Sequence, residues 1–125
     1  MMDKQKKLVR TLLARTKRGD VEWKESIPTN AYQVSFKDNS VLIRLIPGKR
    51  DEPDDYEMSL LDAEARTVDS FTDVDLAQTE ADSQASSIWF KTMRELYDLA
   101  RRTALGSEKV LNEILKDLGD DEIPF

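Results

Sequence analysis

The apolar residues of this chain change their spacing twice, and each change marks a passage between helix and sheet. In residues 3–18, Leu8 and Leu12 lie four apart, as do Val9 and Leu13, and most other positions are Lys, Arg, Gln or Thr. That is the period of a surface helix with one apolar stripe. Asp3 is placed to cap its start and Gly19 to end it. From Tyr32 the spacing drops to two. Tyr32, Val34 and Phe36 alternate with Gln33 and Ser35, and Val41, Ile43 and Leu45 follow a turn at residues 37–40. Alternation of this kind predicts half-buried strands, and the short connection predicts a hairpin. Tyr56, Met58 and Leu60 form a third alternating set, and residues 67–71 a shorter fourth strand after a turn at residues 62–65. After Gln84 the helical period returns. Ile88 or Trp89, then Met93, Leu96, Tyr97, Ala100 and Ala104, make one stripe, with Ser86 or Ser87 as cap. Gly106 and Ser107 separate it from a second stripe of Val110, Leu111, Ile114, Leu115 and Leu118, and Gly119 closes that helix.

The order predicts an α+β fold: an N-terminal helix, an antiparallel three- to four-stranded meander, and two C-terminal helices packed on the sheet. Residues 1–119 form a single domain in this reading, and residues 120–125 an extended acidic tail. Residues 20–30 read as a connector from which Trp23 folds back onto the core. Residues 72–84, polar and without a period, read as a surface loop or partly mobile linker.

Composition narrows the chemistry. A chain of 125 residues suits one ordinary domain. It contains neither cysteine nor histidine, so thiolate and imidazole chemistry are both excluded, and with them the commonest metal ligands and general base. Cysteine-free composition and the lack of a long apolar run lead us to expect a cytoplasmic protein with no membrane partner. The formal charge is −6, which repels phosphate on average and argues against direct nucleic-acid binding. Seven cations (Lys4, Lys6, Lys7, Arg10, Arg15, Lys17 and Arg18) crowd the first helix and are read as a solvated outer face, since no aromatic interleaves them. The acids Asp51, Glu52, Asp54 and Asp55 lack calcium-loop spacing. The four glycines are isolated, so no phosphate-cradling loop is present. The expectation is a protein that is not an enzyme and carries no cofactor and no metal.

The last six residues are the most specific feature: Asp120, Asp121, Glu122, Ile123, Pro124 and Phe125. Three acids precede an X-Pro bond that biases Ile123 toward extended backbone, and an aromatic stands at the last position. A ligand of that form suits a pocket with an apolar hole for Phe125, a cation for its α-carboxylate and a basic rim for the acids. The segment resembles the C-terminal tip of bacterial single-stranded-DNA-binding proteins, in which an acidic run ends in Ile-Pro-Phe. The resemblance rests on Asp120, Asp121, Ile123, Pro124 and Phe125, with Glu122 replacing a usual Asp. It implies recruitment of helicases, nucleases, primase and other genome-maintenance proteins. The body departs from that family, having a helix first, too few strands for its barrel, and no Gly/Gln-rich linker. The run from Met93 to Gly106 is similar in rhythm to small bacterial and phage-borne proteins, which implies no activity. The functional expectation is therefore an interaction module or inhibitor whose tail docks on a genome-maintenance protein. An acidic decoy or immunity-type protein that blocks a basic nucleic-acid-binding or toxin surface is the alternative. A homodimer through the two C-terminal helices is a third arrangement.

Overall fold

A computed structural model describes residues 2–119. The α+β class and its element order are as expected, with one strand and one helix more. The chain runs α1 (Asp3–Arg18), β1 (Trp23–Glu25), β2 (Ala31–Ser35), β3 (Ser40–Ile46), β4 (Asp55–Leu61), β5 (Thr67–Thr72), α2 (Asp73–Gln78), α3 (Ala85–Ala104) and α4 (Ser107–Leu118). The five strands form one antiparallel meander in chain order. Cross-strand rows explain why one face is dry. Trp23, Val34, Val41 and Leu60 stand in register, and Tyr32, Ile43, Met58 and Phe71 form the next row. These residues join one apolar core with Val9 and Leu12 of α1 and Trp89, Met93, Leu96 and Ala100 of α3. Helix α3 lies against β1 to β4, α1 packs along α3, and α2 fills the corner between α3 and the β4–β5 edge.

Several local expectations are corrected. The connector at residues 20–30 contains β1, an edge strand that pairs Trp23 with Val34 and Glu25 with Tyr32. Its three residues hold only one apolar side chain, too little to show a period. Trp23 is buried as expected. Its indole Nε1–H donates to Thr16 Oγ1 at 3.0 Å, and the Thr16 hydroxyl donates to the Leu12 carbonyl at 2.6 Å. Phe36 lies beyond the last ladder pair, Ser35 with Ser40, and is about half exposed instead of continuing the core row. Its N–H donates to the Asn39 carbonyl at 2.7 Å, closing the turn. Asp3 lies in the first turn of α1, and Met2 occupies the cap position in left-handed backbone. Residues 72–84 are not all loop. Thr72 Oγ1 accepts from Asp75 N–H, and Asp75 Oδ2 accepts from Thr72 N–H at 2.9 Å. This reciprocal capping box starts α2, and buries Leu76 and Ala77. The buried Asp73 accepts from the Tyr56 N–H at 2.9 Å and ties α2 to the start of β4. Helix α3 begins at Ala85 with Gln84 at the cap, ahead of Ser86 and Ser87.

One ionic cluster joins three elements. Glu80, just after α2, accepts from Lys6 Nζ at 2.8 Å and from Trp89 Nε1–H at 2.7 Å. Arg10 lies 4.6 Å above the Trp89 ring centroid, a cation–π distance. Lys6, read above as part of a solvated face, is thus buried. Bonding from Lys6 and then Trp89 holds the Glu80 carboxyl below its ordinary range.

Two tests follow from these contacts. Thr16→Val keeps the volume but leaves the buried Trp23 N–H without its acceptor. Urea unfolding followed by tryptophan fluorescence should show a loss of about 1–3 kcal/mol. A carboxyl whose pKa is lowered on folding contributes fully above its unfolded value of 4.5 and loses that contribution as pH falls through the folded value. Glu80→Gln should therefore lower Tm near neutral pH. It should also lose less further stability on acidification below that range than the wild type does.

Candidate protein-interaction surface

Helix α4 is where the structure departs most from expectation. It was expected to pack on the sheet beside α3, and α3 does so. Among the elements of the fold, α4 makes its main contact with α3, and none of its residues is buried. Gly106 and Gly119 bracket it, both in left-handed backbone with φ of 68° and 72°. A Cβ at Gly106 meets nothing within 4 Å, so its conformation and not crowding calls for glycine there. The positive φ turns the chain out of the α3 axis, and α4 leaves the body.

Its apolar stripe consequently faces solvent. Val110, Leu111 and Ile114 are 49–50% exposed, Leu115 is 36% and Leu118 is 68% exposed, and Leu105 at the end of α3 adds 41%. Together they present on the order of 500 Å² of apolar surface, at the upper end of what a monomer ordinarily leaves open. At the foot of α4 a groove is lined by Leu99, Arg102, Thr103, Gly106, Ser107 and Glu108. A second groove along α3 joins it through Leu99 and Arg102, and also includes Lys91, Arg94, Glu95 and Asp98.

The six tail residues named from the sequence, Asp120, Asp121, Glu122, Ile123, Pro124 and Phe125, lie outside the described residues. They follow directly on Gly119, the cap of α4.

The aromatic residues of α3 and the acidic loop before β4 serve the fold. Trp89 and Tyr97 are buried, and Phe90 is half-buried against Tyr56 with ring centroids 5.6 Å apart. Tyr97 also meets Tyr32 at 5.6 Å and Tyr56 at 5.3 Å. Burial, with Tyr32 beside it, pushes the Tyr97 phenol up to about 12. In the loop of residues 47–54, Asp54 accepts from Gly48 N–H at 2.9 Å. The face of the sheet turned away from the helices is largely polar, with an Arg44–Glu57 ion pair at 3.0 Å and a Ser59–Ser70 hydrogen bond at 2.9 Å. Among the described residues no group of acids gathers that could hold a metal ion, and no helix is long and apolar enough to cross a membrane.

No protein-family model matches this sequence, and no curated protein or solved structure is similar enough to it to be matched.

The sequence reading missed the exposed α4 face because the stripe of a core helix and that of an unpartnered one are identical in period. The available signal was the pair of glycines, which isolates twelve residues from the rest of the body. The different roles of the two stripes are measurable. Leu96→Ala, in the core, should cost about 2–5 kcal/mol. Leu111→Ala should stay within about 0.5 kcal/mol, both by urea unfolding in dilute solution.

Proposed function

We propose that this protein is a non-enzymatic interaction module or inhibitor. In this reading the acidic Ile-Pro-Phe tail, Asp120 to Phe125, docks in a pocket that genome-maintenance proteins use for the tip of the single-stranded-DNA-binding protein. Phe125 is the apolar anchor. Asp120, Asp121 and Glu122 raise the encounter rate with a basic rim and make binding sensitive to salt. The partner is a protein, and nucleic acid is not contacted directly.

The observation that carries this reading is the point of attachment. The residues of the body's core run from Val9 to Ala100. The tail departs from the end of α4, a helix with no buried residue that is closed by Gly119. The tail thus follows a helix that has no buried residue, and the core does not draw on that helix. Charge points the same way. Of the net −6, three charges belong to Asp120, Asp121 and Glu122, which leaves the rest of the chain at −3. An acidic decoy acting through the folded surface has correspondingly little charge to work with, and cations are interspersed there.

The test is competition. A labelled peptide of residues 120–125 is bound to a bacterial helicase, nuclease or primase that takes the tip of the single-stranded-DNA-binding protein, and the full chain is titrated in. The full chain should displace the peptide, with an affinity that falls as salt rises. Phe125→Ala should weaken displacement by about 30-fold or more, the loss of a hot-spot residue. A chain lacking Ile123, Pro124 and Phe125 should not compete. Equal displacement by the truncated chain would refute the tail as ligand.

A further inference from the structure

We infer that the exposed face of α4 is a self-association surface, on which a second copy of this chain lays its own α4 antiparallel to form a two-fold dimer. The inference does not depend on the tail being a ligand, because it rests on α4 and the end of α3.

The spacing is the first ground. Leu111, Ile114 and Leu118 fall three and four apart, as the a, d and a positions of a heptad, with Val110 and Leu115 beside them. A stripe of that width fits a helix partner. The cations Lys109 and Lys116 both fall at the position farthest from the seam, so pairing buries neither. Area is the second ground. Pairing two such faces removes at most about 1,000 Å² of apolar surface, and a polar rim brings that upper limit to the lower end of specific interfaces, about 1,200 Å².

Charge decides between a second copy and its orientation. The last turn of α3 carries Arg101 and Arg102, both exposed, and Arg102 lines the groove at the elbow. One acid, Glu108, shares that groove. The last turn of α4 carries Asp117 beside the stripe, with Lys116 on the side away from it. Along the stripe the surface is therefore basic at the elbow, apolar at the centre and acidic at Asp117. An isologous contact requires a patch that complements itself under two-fold rotation, and this distribution does so when the helices run antiparallel. Each Asp117 then lies toward the partner's arginines and the positive end of the partner's helix. Parallel pairing instead sets arginines against arginines and Asp117 against Asp117. Antiparallel pairing also keeps the two Gly119 caps about 18 Å apart, the length of a twelve-residue helix. That separation is about twice the screening length at physiological salt.

Sedimentation equilibrium of the full chain, from about 1 to about 200 µM, tests this over the affinity range of a modest interface. The wild type should pass with concentration from the chain mass to twice that mass. The double variant Leu111→Glu with Ile114→Glu should remain monomeric throughout. Its circular dichroism and the emission of buried Trp23 and Trp89 should be unchanged, since α4 buries nothing in the body. Arg101→Glu with Arg102→Glu should weaken association about tenfold or more at low salt and less at high salt. A wild type that stays monomeric overturns the proposal. In that case a gain in apolar-dye binding on removing residues 120–125 assigns the face to the chain's own tail, and no gain assigns it to a different protein. Association undiminished in the Leu111/Ile114 variant also overturns it. Association undiminished in the arginine variant overturns the antiparallel arrangement.

Discussion

A five-stranded sheet is stable only if one face is kept dry, and here a single helix supplies most of that cover. Trp89, Met93, Leu96 and Ala100 of α3 lie against β1 to β4, in the core those strands share with Phe71 of β5. The remaining helical structure is arranged around that contact. Val9 and Leu12 bring α1 alongside α3, and the capping box at Thr72 turns β5 into α2 so that Leu76 and Ala77 seal the corner. Burying Trp89 obliges its indole N–H to find an acceptor. Glu80 supplies it, and the same carboxylate compensates the buried ammonium of Lys6. The ionic cluster is thus a consequence of packing a large aromatic at a three-way junction. It converts that junction into one with a required geometry.

Once α3 covers the sheet, the core has no place left for α4. The opposite sheet face is largely polar, with an Arg44–Glu57 ion pair and a Ser59–Ser70 hydrogen bond set among Leu42 and Leu61, so it offers no continuous apolar bed. The positive φ of Gly106 sends α4 off the body. Its leucines and isoleucine are then a cost to solubility in an isolated chain, a cost that a covering partner removes.

The legible parts of the fold were those with enough apolar residues to display a period. Helices α1 and α3 and strands β2, β3 and β4 each carry at least three, and their buried faces are the ones that spacing assigned. The hairpin turn at Asp62 was also readable from its residues, and Asp62 Oδ1 accepts from both Glu64 N–H and Arg66 N–H there. Elements held by pairing or capping were not legible in that way. Strand β1 has one apolar residue and exists because β2 offers it a ladder. Helix α2 is a single capped turn and a half whose box uses Asp75 where Glu or Gln is the usual signature. Lys6 lay on a face that looked solvated because the acid that buries it, Glu80, is 74 residues away in sequence. Phe36 failed for the opposite reason: the alternation continues one residue past the last ladder pair. For the candidate interaction surface, sequence supplied the tail and the α4 stripe as separate observations, and packed α4 on the sheet, with pairing through the two C-terminal helices as a third arrangement.

Their adjacency gives those two features a common physical sense. A short linear ligand loses affinity to the entropy of ordering itself on its receptor, and a single anchor ring with a few acids does not offset much of that loss. If the chain pairs as proposed, carrying two copies of the proposed ligand on one helix pair would change the arithmetic, because the second docking event would become intramolecular. Antiparallel α4 helices would set the two Gly119 caps about a helix length apart, at opposite ends of the pair. Such an arrangement would favour an oligomeric receptor, or one with repeated basic pockets, over an isolated pocket. The apolar face of α4 would then govern how strongly the tail binds without touching the partner at all, by setting the concentration at which the chain pairs.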